Sequence, residues 1–289
     1  MIFDHKSIRI RAMSTGGHYT SFQLPHQKIS IDLGLASESS IRSNKVFITH
    51  PHVDHAAGIV RHCSTREMLQ LDPPTYYIGE EHKAALEDVL AAWRRLNRSF
   101  MPCKIEALRP NQTIDVNKKY FVRCFRSIHR IPCLGYILYE RRKKLSKQFK
   151  TCKGYEISRL REQGIEIYDY INVPMFAYTG DSVIDVLERE SDLTQCAFLA
   201  MEVTFFDERV SVENARRHGH IHIDELVSRS DTFKNDRILL MHLSARYKFD
   251  EAKEIAAQKL DPNLLSKITI LPNISPFKTF ETKMRDLTV

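Results

Sequence analysis

No run of 18 apolar residues occurs in this 289-residue sequence, so no membrane-crossing helix is expected. Its six cysteines include no C-x-x-C pair. A chain long enough to bury a full core does not need cross-links, and reduced, mostly buried thiols are expected. The start, Met1 to Lys6, lacks the apolar stretch of a signal peptide and the Arg/Ser-rich composition of a transit peptide, so the cytosol is the expected compartment. Internal repeats, low-complexity tracts and linkers are absent too, which points to one domain over residues 1–289. What is present is the composition of a globular protein, 43% apolar, with a net charge of +7 that suits a polyanionic partner.

The densest chemistry lies in Thr49-His50-Pro51-His52-Val53-Asp54-His55, directly after the apolar run Val46-Phe47-Ile48. A strand ending in H-x-H-x-D-H gathers four metal-binding side chains in one loop. Imidazole and carboxylate suit zinc or a similar divalent ion. His50 and His52 can face one ion while Asp54 and His55 turn toward a second, about 3.5–4 Å away. The alternative is a His-rich surface loop, but the spacing is long and follows a strand. The motif, with Gly58 after it, resembles the signature of the metallo-β-lactamase superfamily.

Around this loop the sequence reads as alternating strands and helices in two halves, which fits an αββα sandwich. Short strands are expected at Ile8–Ile10 and Ser21–Leu24 around the turn residues Ser14 to His18, and another leads into Asp32-Leu33-Gly34. Asp32 can brace a ligand histidine or simply form a turn; His18 reads as a solvated loop residue. A helix is expected from His55 to Gln70 and another from Glu80 to Asn97. In the second, Ala85, Leu86, Val89, Leu90, Trp93 and Leu96 form one apolar stripe, which predicts a core-facing surface. The strand Tyr120–Ser127 delivers His129; a lone histidine at a strand end is usually structural, but the metal loop requires a third ligand for its first ion.

Arg141 to Lys153 breaks the composition. Arg141, Arg142, Lys143, Lys144, Lys147, Lys150 and Lys153 are basic, and no residue of the run is acidic. Such a cluster is either a solvated face or a contact surface for a phosphate backbone. Further on, Met175–Tyr178 is a strand ending in Thr179-Gly180-Asp181, placing a carboxylate where it can bridge two ions. Glu202 sits inside the apolar run Phe198 to Phe205, where a buried acid needs a partner such as a histidine. His218 to His222 is expected to open a helix with Ile223, Leu226 and Val227 as its buried side. The strand Arg237–Leu243 delivers His242.

Five separated pieces, in order, resemble the ribonuclease Z family, which removes 3′ trailers from tRNA precursors. They are His50 to His55, His129 before Gly135-Tyr136, Thr179-Gly180-Asp181, Glu202-Val203-Thr204-Phe205, and His242 with Leu243-Ser244-Ala245-Arg246-Tyr247. The likeness is nearest to the short plant-type enzymes and includes Gly219-His220-Ile221-His222-Ile223. The resemblance implies a zinc-dependent endoribonuclease that leaves a 3′-hydroxyl on the tRNA, with two Zn²⁺ per chain, or Mn²⁺ or another divalent metal in their place. It assigns His50, His52 and His129 to one ion and Asp54, His55 and His242 to the other, with Asp181 bridging. Asp54 thus sits within the catalytic centre. His220 would protonate the leaving oxygen, oriented by Glu202, and the role of His222 stays open. The basic segment, 140–172, would be an inserted arm binding precursor tRNA, and a homodimer is implied.

The chemistry stands beside the resemblance. Two dications lower the pKa of bound water toward ~7 and stabilise charge on the attacked phosphorus. A ribose oxygen leaves poorly, so a protonated imidazole beside it is needed. A second reading keeps the fold but makes the substrate a cyclic nucleotide or other small phosphodiester; a third is a catalytically silent RNA-binding module.

Overall fold

The computed structural model describes residues 1–273; residues 274–289, the end of the expected domain span, lie outside the described residues. Two seven-stranded sheets face one another. The first runs β1 (Ile2–His5), β2 (Ile8–Thr15), β3 (Tyr19–Leu24), β4 (Ile29–Leu33), β5 (Lys45–Phe47), β6 (Thr75–Gly79), β7 (Lys104–Leu108), in that spatial order. The second holds β8 (Thr113–Asp115), β9 (Tyr120–Ser127), β10 (Cys133–Leu145), β11 (Tyr168–Tyr178), β12 (Phe198–Glu202), β13 (Arg237–Met241) and β14 (Ile268–Ile270), also in chain order. Each sheet begins with four antiparallel strands, joined by short connections except between β10 and β11, and continues with three parallel ones. Parallel neighbours need crossovers, and helices supply them.

In the first half the crossovers carry α1 (Val53–Ala56), α2 (Gly58–Met68) and α3 (Lys83–Asn97). Helix α4 (Gly154–Glu162) lies between β10 and β11. The second half uses α5 (Val186–Arg189), α6 (Asp192–Gln195), α7 (Val212–Arg217), α8 (Asp224–Val227), α9 (Phe249–Lys259) and α10 (Pro262–Lys267). The layers are helix, sheet, sheet, helix, the αββα sandwich expected from the sequence.

Strand alternation explains the three apolar clusters. Ile10, Phe22, Ile31 and Phe47 from the first sheet meet Tyr136, Phe176, Tyr178 and Leu239 from the second. Val46 and Ile48 point the other way, onto Ile59 and Cys63 of α2 and Leu90 of α3. Ile137, Leu199, Met201 and Leu240 pack outward on Ala215, Leu226 and Ala256. Strand β5 is therefore buried on both faces, as its unbroken apolar run requires. Tyr136 Oη donates to the Ile48 carbonyl at 2.6 Å, tying the sheets together beside the His50 loop.

Three expectations change. The α3 stripe is not core: Leu90 is buried, while Val89, Trp93 and Leu96 are exposed at 47%, 45% and 74%. Periodicity shows that a face is apolar without showing what covers it. His218 to His222 does not open a helix, because Gly219 takes φ +78 and turns the chain. The helix there, α7, comes before it, started by the Ser211 hydroxyl accepting from Asn214 N. Only the single turn α8 follows, and Val227 on it is exposed. The helix expected from His55 is two pieces, α1 and α2, meeting at Ala57.

Candidate metal centre

The loop after β5, the ends of β9, β11 and β13, and the turn at Gly219 converge at one edge of the sandwich. His50, His52, His129 and Asp181 present ligand atoms that all lie within 4.8 Å of one another. Asp54, His55 and His242 form a second such set, and Asp181, His220 and His242 a third. Asp181 joins them: its Oδ2 is 3.7 Å from His50 Nε2 and 3.4 Å from His242 Nε2, and its Oδ1 is 3.5 Å from His55 Nε2.

The hydrogen bonds behind the imidazoles fix which nitrogen faces inward. Gly219 O only accepts, so His129 Nδ1 donates to it at 2.9 Å. The Asp32 carboxylate accepts from His55 Nδ1 at 2.7 Å. Thr49 Oγ1 donates to Asp32 and so accepts from His50 Nδ1. Thr204 Oγ1 donates to Glu202 Oε2 at 2.8 Å and accepts from His242 Nδ1 at 2.9 Å. Each of these four rings therefore turns a bare Nε2 into the centre, as metal-binding histidines do. His52 presents Nδ1, 2.9 Å from His50 Nε2 and 3.4 Å from His129 Nε2.

Lone pairs crowded this closely call for a cation. His55 Nε2 and Asp181 Oδ1 are buried without a hydrogen-bond partner, and such orphaned atoms are rare unless an ion or water satisfies them. Electrostatics point the same way. Burial, with neighbouring imidazoles, holds His50 well below its ordinary pKa and lowers His52; burial likewise lowers His129. All three stay neutral, the form that binds metal. Burial opposes charge on Asp54, but His242 and His55 beside it outweigh that and lower the carboxyl to about 2. At His55, burial is overcome by Asp181 and Asp32, which raise its pKa well above normal. The second set thus stabilises positive charge. The residues present fit two divalent cations.

Backbone strain accompanies the geometry. Asp32 and His242 hold φ of +54 and +63, which side chains other than glycine seldom adopt. A Cβ on Gly219 would come within 2.6 Å of His129 Nδ1.

His220 stands over the centre with Nδ1 2.9 Å from Glu202 Oε1. Burial disfavours its charge, but Glu202, by charge and hydrogen bond, and then Asp181 raise its pKa to about 9. Glu202 is fully buried and also accepts from Ser182 N at 3.2 Å.

All the histidines and acids expected at a metal site come together, as do His220 and Glu202. Asp32 is the brace for His55 rather than a mere turn-former, and His18 is exposed. His222 is buried behind the centre, where Nε2 meets Asp207 O at 3.1 Å and Nδ1 accepts from Asp224 N at 3.2 Å. Thr49, Thr204 and the Gly219 carbonyl were not singled out from sequence. Thr49 had the one signal, its place before His50; Thr204 and Gly219 orient His242 and His129, which are distant in sequence.

No protein-family model matches the chain. It is 35% identical over 264 residues to tRNase Z TRZ1 of Arabidopsis thaliana, covering 91% of this chain and 94% of that protein. The chain belongs to the tRNase Z family. Chloroplastic tRNase Z TRZ2 of the same plant is 32% identical, over 91% of this chain and 75% of its own length. Among solved structures, human tRNase Z, short form, superposes with a TM-score of 0.58 at 17% identity, covering 92% of this chain and 97% of that one. The metallo-β-lactamase fold protein YhfI of Bacillus subtilis gives 0.61 at 13%, covering 93% and 98%. At such identities these structures speak for the fold alone. With this family and these two metal-ligand clusters, the chain is a metal-dependent hydrolase of the metallo-β-lactamase fold.

The basic run is a ribbon that continues β10 and β11. Arg141 to Leu145 pair with Tyr168 to Asn172, and α4 lies between the two strands in sequence. Arg141 is ion-paired with Asp115 and sits over the Phe121 ring; Arg142 pairs with Glu140. Lys143 lies over the rings of Tyr168 and Tyr170, at 5.7 and 5.4 Å. Lys144, Lys147, Lys150 and Lys153 make no ion pair among the described residues, and α4 adds Arg159 and Arg161.

Proposed function

We propose that this chain is the endonuclease that removes the 3′ trailer from precursor tRNA. The observation that carries the reading is the His220–Glu202 pair standing over two metal-ligand sets in a tRNase Z chain. His50, His52 and His129 would hold one zinc ion and Asp54, His55 and His242 the other, with Asp181 shared. When bound, the ions activate water and stabilise charge on the attacked phosphate. His220, its charge supported by Glu202, would deliver a proton from Nε2 to the departing ribose oxygen. Glu202 holds that proton on the ring and fixes the ring plane. Thr204 joins Glu202 to His242, so the acid and the second set are oriented together.

The ribbon supplies what a small phosphodiester would not need. Its cations would follow the phosphate backbone of the tRNA, away from the cleavage point. A homodimer would cover the exposed face of α3, where Val89, Trp93 and Leu96 form an apolar strip.

A trailer-bearing precursor tRNA is the test, assayed with purified protein of measured metal content. A tRNA ending in a 3′-hydroxyl and a trailer with a 5′-phosphate are expected, with loss of activity on chelation. Intact precursor from metal-loaded protein would overturn the assignment. Sedimentation of the same sample reports whether two copies associate.

A further inference from the structure

Cys63 and Cys103 are forty positions apart in sequence, yet Cys103 packs against the apolar cluster that holds Cys63. Cys63 is buried on α2, with Sγ 3.3 Å from Met101 O and 3.7 Å from Pro102 O. Cys103 precedes β7 and is partly exposed. The loop between α3 and β7 is pinned so that the two meet. From α2, the Glu67 carboxylate accepts from Phe100 N and Met101 N, both at 3.0 Å. From α3, Arg94 donates to Phe100 O at 2.9 Å and Met101 O at 3.0 Å. Met101 is fully buried and held at φ +41, a strained turn that brings Cys103 toward α2. The Arg94 Nη2 that fixes this turn also lies 3.3 Å from Cys103 Sγ.

We propose that Cys63 and Cys103 are a thiol pair that hydroperoxides convert to a disulfide, with Cys103 attacking the peroxide and Cys63 resolving. A buried thiol packed with a partly exposed one beside a guanidinium is the arrangement this chemistry uses. The Cys63 thiol, against the opposing effect of burial and with help from Arg94, lowers Cys103 to about 7. Cys63 is pushed up, first by Cys103 and then by burial. The Cys103 thiolate attacks one peroxide oxygen and the O–O bond breaks. This leaves a sulfenic acid, and the expelled hydroxide takes up the proton Cys103 had released. The Cys63 sulfur then attacks that of Cys103, the S–O bond breaks, and hydroxide leaves with the Cys63 proton. Two thiols and one hydrogen peroxide give one disulfide and two waters. Cys124, Cys133 and Cys196 are buried and pushed up, chiefly by burial, so they do not compete. The bond would fasten α2, which follows directly on the His50–His55 loop, to the loop before β7.

The test uses the full chain in the assembly in which it purifies. Hydrogen peroxide near stoichiometric amounts, then thiol blocking and peptide mapping, should give a Cys63–Cys103 cross-linked peptide that dithiothreitol removes. Cys152, partly exposed, is the internal reference. At pH 7, alkylation of Cys103 in the unoxidised protein should run about threefold faster than at Cys152, because the Arg94 guanidinium lies beside its sulfur. Cys103→Ser should abolish the cross-link, whereas Cys63→Ser should leave a Cys103 sulfenic acid that dimedone traps. Oxidation of Cys152 before Cys103, or over-oxidation of wild-type Cys103 without a cross-link, would overturn the proposal. Both wild-type readouts hold even where a buried serine upsets folding.

Discussion

Asp32 accepts a hydrogen bond from His55 Nδ1 at 2.7 Å, with neither residue reached by solvent. The same carboxylate takes Thr49 N at 2.8 Å and Tyr178 Oη at 2.9 Å, and it does so from a backbone at φ +54. Asp32→Asn is therefore the informative change, because asparagine tolerates that backbone but brings no charge. His55 loses the anion behind it, and the affinity of the second metal set should fall about 10–100-fold. Metal content after dialysis against a graded chelator would show it. Equal retention at both sets would mean that Asp32 serves the turn alone.

A separate prediction concerns His220. As a general acid it works protonated, so its contribution is complete at low and neutral pH, and the rate should fall as pH rises through its pKa. That pKa is raised to about 9 by Glu202 against burial, and bound dications will bring it below this value. Glu202→Gln removes the supporting charge, so the alkaline fall should move to lower pH. His220→Ala should lower the cleavage rate by about 10²–10⁴ while metal content stays near that of the wild type. The Glu202→Ala, His220→Ala double variant should be little worse than His220→Ala, since the two serve one step. Multiplicative losses would separate them, and loss of metal from His220→Ala would make that residue a ligand.

Gly219 offers a sharper structural test. Its φ of +78 alone would cost an alanine about 1–2 kcal/mol, and the new Cβ would also stand 2.6 Å from His129 Nδ1. Gly164 shares the conformation, at φ +71, with nothing within 4 Å. Gly164→Ala should show only the backbone effect. Gly219→Ala should in addition displace His129 and empty the first metal set, visible as a lost equivalent of bound metal. If both variants kept full metal, the carbonyl of Gly219 would not be what positions His129.

The parts of the centre that could be read from sequence are those whose chemistry is local. Six residues from His50 to His55 bring their side chains together whatever the rest of the chain does. Asp181 and Glu202 announced themselves as acids at or inside apolar strands, where burial demands a partner. Thr49 and Thr204 did not, because a threonine before His50 or two places after Glu202 is ordinary until the fold shows which ring nitrogen it meets. The α3 stripe misled because amphipathic periodicity predicts an apolar face and not its cover. The ribbon was legible as charge but not as strands: Arg141 to Leu145 lack apolar alternation, and they are extended because β10 and β11 already pair beneath them.

That ribbon carries the last prediction. Arg141 and Arg142 are already engaged with Asp115 and Glu140, so replacing them would remove intramolecular pairs as well as charge. Lys144, Lys147, Lys150 and Lys153 make no such pairs among the described residues. Changing these four to alanine should therefore lower tRNA affinity without disturbing the fold. Cations that neutralise phosphates release counterions, and the dependence of log affinity on log salt is steeper by roughly 0.7–0.9 for each phosphate engaged. The quadruple variant should raise KM for precursor tRNA and flatten the salt dependence in proportion to the phosphates left without a lysine. Cleavage of bis(p-nitrophenyl) phosphate should persist, because that substrate reaches only the histidine and aspartate cluster. Thermal unfolding within a few degrees of wild type would show that charge, not structure, was removed. A salt titration that left tRNA affinity and slope unchanged would make the ribbon a solvated face and place the tRNA surface elsewhere on the molecule.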